Sequence, residues 1–527
     1  MAQRQDVDAT FRAQCATIWR HMDRLRLLVV LFVTALLTGT LNATWSIILI
    51  NTRTGEIAIG SATCLAGFDL QNAASLVLVG RGAAAAQSFV DDTGLNRMLI
   101  FANLQAGTDP AQILTLLAAQ DVAHQTRQYG IVDVQGRRIG FTGNQAGPWA
   151  GHLTGQVGTI VYAIQGNVLT GQAVCTAAET AVRNATGDML AKLMAGMEAA
   201  RSMGGDGRCS CSAGNPPGCG APPATFTKSA HIGYMLVARP GDIDGTCDGV
   251  AGCANGRYYF NTNIAGQTST TPDPVYQLRT AYLNFRLQQT LRPDHFMSQC
   301  SLEPPTLLAD GSTRAELRIV LNDWRGSHIP FGGASVVVTP VAGNSAQVAI
   351  GSVVDHGDGS YTVPIGPSTT LGFAKLRVVV NDGQGPVQIG PMPEITVNNE
   401  GLWLSRTNLD VTAGDGFDAV LNGGQQHAGE LAILLASASG STPGLLLSGG
   451  LLLPLNTDLL TLLMVDWAAS GTAPNLYGNL DAQGRRRSAL QVPAGALRFL
   501  RGGRLYLAWA TLDPINFTSN PAVLELR

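Results

Sequence analysis

The junction Leu41-Asn42-Ala43-Thr44-Trp45-Ser46-Ile47 holds the residue best suited to chemistry. Cleavage after Ala43 would leave Thr44 with a free hydroxyl and a free α-amine. Together they form a complete nucleophile and base, because the amine takes the hydroxyl proton while the oxygen attacks a carbonyl. An α-amine titrates at about 7.7 to 8.0, so near neutral pH much of it is the basic form. If the chain is left uncut, Thr44 is only the first residue of a strand.

Acyl transfer also needs donors for the developing oxyanion and groups that hold the scissile amide. Asn167, at the end of the apolar run Tyr162-Ala163-Ile164-Gln165-Gly166-Asn167, is the candidate oxyanion donor, with a strand-end turn as the alternative. His152 is the candidate for orienting substrate or amine; the alternative is a loop histidine held by hydrogen bonds. Ser46 shares a strand face with Thr44 and, with Gln165, is assigned to substrate binding. Asp206 and Arg208 would grip a substrate carboxylate or tie down their own loop. Ser61 and Gln87 complete the set. There is no Gly-x-Ser-x-Gly elbow, His-Glu-x-x-His or phosphate loop, and neither metal nor cofactor is expected.

Alternation and punctuation give the elements that must position these side chains. Trp45 to Ile50 and Glu56 to Ser61 read as strands joined by Asn51 to Gly55, and Gly130 to Val134 with Arg137 to Gly143 as a second hairpin. Asp109-Pro110 opens a helix carrying Ile113, Leu114, Leu116 and Leu117. Gln172 to Met203 reads as two helices broken at Gly187-Asp188 and ended by Gly204-Gly205. Strands with interspersed helices predict a layered α+β domain over 44–299.

From about 300 to 398 short apolar runs alternate with Gly/Asp turns, which predicts an immunoglobulin-like β-sandwich. Residues 399–527 predict a second β-sandwich, with the apolar run from Gly444 to Leu455 as buried strands. Arg24 and Arg26 ahead of Leu27 to Leu37 predict a signal peptide within 1–43, or a membrane anchor if it is retained. Charged residues make up 13% and the formal charge is -3, which gives no footprint for nucleic acid. Of nine cysteines, Cys15 would leave with the export segment. The other eight predict disulfides, with zinc on Cys209, Cys211, Cys219, Cys247 and Cys253 as the alternative.

Seven blocks carry a resemblance: Thr44-Trp45-Ser46-Ile47 with Thr54-Gly55-Glu56; Ala86 to Val90; Tyr129 to Asp133 with Phe141-Thr142-Gly143; Trp149 to His152; Tyr162 to Asn167; Gly204 to Arg208; and Pro272 to Val275. In these the N-terminal domain resembles the domain of unknown function 1028 family. The resemblance implies the αββα sandwich of N-terminal-nucleophile hydrolases and a site at Thr44. The chain departs from the family in a Cys-rich insert over 209–227 and in a reduced acidic block at Thr270 to Pro274. The stretch from Asp355 to Thr362 resembles bacterial surface repeats of the invasin type. Two functions follow as expectations. One is an exported amidohydrolase acting on a small amide or peptide; the other is a cell-surface protein that binds glycan or protein on a hydrolase-like scaffold.

Overall fold

The computed structural model describes residues 44–527; the expected signal peptide or anchor over 1–43, and the expected cut after Ala43, lie outside the described residues. The chain divides into two compact units at Phe285/Arg286.

In the first unit a six-stranded antiparallel sheet has β1 (Thr44–Asn51) and β2 (Ile57–Thr63) at its centre. A four-stranded sheet consists of β3 (Ser75–Leu78), β4 (Gly82–Ser88), β5 (Arg127–Asp133) and β6 (Arg138–Thr142). The large sheet is completed by β7 (Ala150–Val157), β8 (Ile160–Asn167), β9 (Ile232–Ala238) and β10 (Phe260–Ile264), in the order β10-β9-β2-β1-β8-β7. Its helices are α1 (Leu70–Ala74), α2 (Leu95–Ala106), α3 (Pro110–Gln120), α4 (Ala173–Asn184), α5 (Met189–Ser202), α6 (Gly207–Ser210) and most of α7 (Pro274–Gln288), in which the boundary falls.

Three apolar layers follow from the period-two alternation of the strands. Trp45, Ile47 and Leu49 of β1 face α4 and α5, through Val174, Val182, Leu193 and Met197. Ile48 and Ile50 face the small sheet, through Val77, Ala83, Ala85 and Val132. The far face of the small sheet packs Tyr129 and Ile131 on Ile100 and Leu104 of α2 and on Ile113 and Leu117 of α3. The result is helix, sheet, sheet, helix. A strand covered on both faces must be apolar at nearly every position, so the reading of β1 as one apolar run agrees with its burial.

The expected helix boundaries hold at their caps. Asp109 accepts from Ala111 N–H ahead of Pro110, and Asp188 accepts from Ala191 N–H at the start of α5. Helices α2 and α7 were not foreseen from the sequence.

The second unit holds two β-sandwiches. The first packs strands Gln299–Glu303, Ala315–Val320, Val354–Asp355 and Ser360–Ile365 against a sheet built on Gly372–Asn381, through Leu317, Ile319, Val363, Leu376 and Val378. At the Asp355 to Thr362 turn Gly359 has φ +82, and an added Cβ would lie 1.8 Å from Ile329 O, so only glycine fits. The second sandwich packs a three-stranded sheet on a five-stranded one around Leu421, Leu434, Leu507 and Trp509. The Gly444 to Leu455 run departs from the expected buried strands. It forms two two-residue strands, Leu445–Leu446 and Leu452–Leu453, of which Leu446 and Leu452 are exposed. Glycines at 449 and 450 with positive φ turn the run back, so that Leu453 and Leu455 reach the core while Leu446 and Leu452 stay outside it. The sandwich also carries an unforeseen helix, α8 (Leu459–Ala469).

Six of the eight expected cysteines pair, as Cys64–Cys209, Cys211–Cys219 and Cys247–Cys253, whereas Cys175 and Cys300 are free thiols. Cys175 is buried under α4 among apolar side chains, and burial pushes its thiol up to about 12. Among the described residues no helix is long and apolar enough to cross a membrane.

Candidate functional site

The face of the large sheet that meets the small sheet is aliphatic along most of its length and polar at one end. In register, Thr44 lies opposite Asn167 and Ser46 opposite Gln165, with His152 beyond Gln165 on β7. The small sheet contributes Gln87 of β4, Gln128 of β5 and Thr142 of β6. All but His152 and Thr142 are buried.

A buried polar layer must satisfy its own hydrogen bonds, and this one largely does. Thr44 N–H donates to Asn167 Oδ1 at 3.1 Å, and Thr44 C=O accepts from Gln87 Nε2 at 2.9 Å. Ser46 Oγ shares its proton between Gln87 Oε1 at 2.5 Å and Ser61 Oγ at 2.9 Å, while Ser61 donates to Trp45 C=O. Gln87 also donates to Gln128 Oε1 at 2.8 Å, and Gln128 Nε2 reaches Gly151 C=O and Gly166 C=O on the opposite sheet. Gln165 Nε2 donates to Ala85 C=O across the same gap; its Oε1 has no partner among the described residues. The sheets come this close because β5 offers Gly130, where a Cβ would lie 2.8 Å from Gln165 Oε1.

The oxyanion expectation for Asn167 meets a specific geometry. Its Oδ1 faces Thr44 N, and its Nδ2 donates to Ala146 C=O at 3.1 Å and to Ser88 Oγ at 3.4 Å, so stabilising an oxyanion would require one of those two N–H groups to be redirected. His152 stacks against Gly140, with Nδ1 2.9 Å from Thr142 Oγ1, and the covering of its ring by β6 lowers the imidazole pKa.

Asp206 and Arg208 lie beside this end of the sheet. Asp206 is fully buried; it caps α6 by accepting from Arg208 N–H, accepts from Cys64 N–H at 2.6 Å, and forms an ion pair with Arg208 at 2.8 Å. Arg208 Nη2 lies 3.4 Å from Thr63 Oγ1, at the end of β2 next to the start of β1. The Cys64–Cys209 disulfide staples the same two segments, with His231 Nδ1 3.4 Å from Cys209 Sγ. His231, Cys64 and Cys209 cluster within metal-ligand reach of one another, but the two sulfurs are spent on their own bond. The expected zinc alternative is likewise answered by disulfides at Cys211, Cys219, Cys247 and Cys253.

Sequence reasoning missed two features. Gln128 ties both sheets together, and its signal was a lone polar residue on the inner face of an otherwise apolar strand. Asp273 of the reduced acidic block is a buried tie: its Oδ2 accepts from Ser229 N–H, Ser229 Oγ and Arg201 Nε, and its Oδ1 caps α7. Backbone strain also collects here. Ser88, Trp149 and Val168 are non-glycine residues at positive φ (81, 35 and 53), each flanking the polar end of the sheets. A β-branched residue such as Val168 adopts that conformation only when its surroundings fix it, and Val168 C=O accepts from Gly207 N–H.

A domain of two stacked antiparallel sheets between helices, with a polar layer at the start of its first strand, is followed by an immunoglobulin-like sandwich and a further β-sandwich. Residues 44–214 match the family model described as Family of unknown function (DUF1028), and residues 294–399 match Invasin, domain 3. The first domain is thus similar to the DUF1028 family and the sandwich after it to the invasin-type Ig-like domain, each over less than half of the chain. Among solved structures, a DUF1028-family protein of Silicibacter pomeroyi is 19% identical, over 46% of this chain and 85% of that one, with a TM-score of 0.33. The adhesin InvE of Yersinia pseudotuberculosis is 14% identical, over 43% of this chain and 58% of its own, with a TM-score of 0.17. Invasin, a bacterial integrin-binding protein, is 12% identical, over 57% of this chain and 46% of its own, with a TM-score of 0.18.

Proposed function

We propose that this is an extracellular or cell-surface binding protein, adhesin-like, which presents its paired sandwiches to a protein on another cell surface. The observation that carries this reading is the invasin-type domain at 294–399, together with its direct packing on the sandwich that follows. Leu308 of the first sandwich packs with Trp403 and Val420 of the second. Trp403 Nε1 donates to Thr306 C=O at 2.9 Å, and Thr407 Oγ1 donates to Glu303 at 2.8 Å. Such a coupled pair offers one continuous surface. Three disulfides suit an oxidising compartment. The test is adhesion of beads coated with the purified protein to a panel of cells, with and without prior protease treatment of the cells. Protease-sensitive adhesion is expected; its absence across the panel refutes the reading.

A second reading is favoured by one specific observation, the strained and hydrogen-bonded surroundings of Thr44 at the position where the family match begins. On it the αββα layers are those of an N-terminal-nucleophile hydrolase, and Thr44 attacks an amide once freed by cleavage after Ala43. Thr44→Ala then abolishes turnover while Thr44→Ser keeps part of it, because only the alanine lacks the attacking oxygen. Mass-spectrometric screening of peptides and acyl amides checks this. Equal conversion by wild type and Thr44→Ala refutes it.

A further inference from the structure

The surface of the C-terminal sandwich is unusually apolar where α8 lies on it. Thr461, Met464 and Ala468 of α8 face the sandwich core, with Leu460 partly buried. The opposite face should then be polar, as on an ordinary surface helix. Instead it exposes Leu459 (72%), Leu462 (58%), Leu463, Val465 and Trp467, with Asp466 as its one charge. The hairpin leading into the helix adds Leu446 and Leu452. An apolar cavity of about 220 Å³ opens between α8 and the sandwich, lined by Phe417, Met464, Trp467, Leu497 and Leu505 among others.

The loop that closes this cavity continues into Arg498-Phe499-Leu500-Arg501, where Phe499 is 80% exposed and both arginines are exposed. From Ala482 to Leu512 the chain carries Arg485, Arg486, Arg487, Arg498, Arg501 and Arg504 and no carboxylate. The acids that face the loop come from other segments: Glu525 pairs with Arg504 at 3.5 Å, and Asp410 lies within the field of Arg501. Exposed leucines, a tryptophan at the end of a helix and a phenylalanine between arginines are the side chains that settle at a bilayer interface. Apolar groups enter the acyl boundary there while guanidinium groups meet lipid phosphates.

We infer that the C-terminal sandwich docks on an anionic lipid surface through α8 and the loop 498–501. The apolar face selects an apolar phase, and the arginines beside it select negative charge. A protein partner or a second copy of this chain would supply carboxylates for those arginines but would not need a helix face almost devoid of polar groups.

The test uses the full chain with vesicles of phosphatidylcholine alone, of phosphatidylcholine with phosphatidylglycerol, and of the same mixture containing bromine-labelled lipid. Bromine quenches tryptophan on contact, so comparing wild type with Trp467→Phe isolates α8 from any contribution of the N-terminal segment. Quenching is expected in wild type and should fall in Trp467→Phe. The double variant Leu462→Glu/Leu463→Glu should lower binding more than about tenfold, since two side chains lose their burial. Arg498→Ala and Arg501→Ala should each weaken binding about fivefold on anionic vesicles and little on neutral ones. Should the glutamate variant fail to fold, the arginine and tryptophan variants still decide. Identical quenching in wild type and Trp467→Phe overturns the inference. So does self-association that the glutamate substitutions abolish while vesicle binding stays unchanged.

Discussion

Replacing Cys64 and Cys209 by alanine cuts the longest covalent loop in the described chain, and its cost can be set against the two shorter ones. The bond joins residues 145 apart, whereas Cys211–Cys219 and Cys247–Cys253 span 8 and 6. If a disulfide stabilises chiefly by restricting the unfolded chain, the long loop is worth about 5 kcal/mol and each short one about 2.5 kcal/mol. The native side adds to the difference. Cys64 N–H donates to Asp206, so the same substitution loosens the segment that holds the buried Asp206–Arg208 pair against the end of β2. Denaturant-dependent hydrogen exchange at β1 and β2 amides reports the first unit separately from the second. The Cys64→Ala/Cys209→Ala variant should lose roughly twice the stability of Cys247→Ala/Cys253→Ala. Equal losses, or a larger loss for the six-residue loop, would refute the loop-entropy argument and leave local packing as the cause.

Asp458→Asn should destabilise the second sandwich by about 2 to 3 kcal/mol by urea unfolding. Its carboxylate caps α8 at Thr461 N–H (3.0 Å) and also accepts from Ser437 Oγ, Ala438 N–H and Ser439 N–H. Burial pushes this carboxyl up, but those hydrogen bonds outweigh it and hold it well below the usual carboxylate range. Its stabilisation is therefore full above about pH 4 and fades as pH falls further, a pH dependence that the asparagine variant should lack. Trp403→Ala should cost about 3 kcal/mol in the second unit, because it empties the cluster with Leu308 and Val420 and drops the bond to Thr306; calorimetry checks this. The His152 imidazole should titrate below 6.5 by NMR, because the packing of one side of its ring on β6 disfavours the charged form even though the other side meets solvent. It therefore contributes stability above pH 6.5 that declines as pH falls toward the folded value.

The readable part of the fold was the part whose burial is periodic. β1 and β2 alternate nothing because both faces are covered, and α4 and α5 repeat apolar residues at helical spacing up to Gly204-Gly205, so local pattern and tertiary burial agree. Helix α8 was missed because Leu459 to Ala469 is apolar on both faces apart from Thr461 and Asp466, which looks much like a buried strand when only composition is visible. Helix α2 was missed because its N-cap is a glycine in the left-handed region, with no side-chain cap to announce it.

The sequence by itself determined which chemical groups are available: a threonine ahead of an apolar strand, amides at strand ends, an even set of cysteines beyond Cys15, and Gly/Asp turns between the short runs of an Ig-like stretch. It could not determine which of them meet. Thr44 and Asn167 lie 123 residues apart, and Gln87 reaches Thr44 from another sheet, so their contact depends on sheet register and on a gap that Gly130 keeps narrow. The same holds for Asp206, whose partners Cys64 and Arg208 are brought together by a disulfide whose pairing no spacing rule specifies. Hydrogen bonds and ion pairs act over a few ångströms, and only the packing of the two sheets sets distances on that scale.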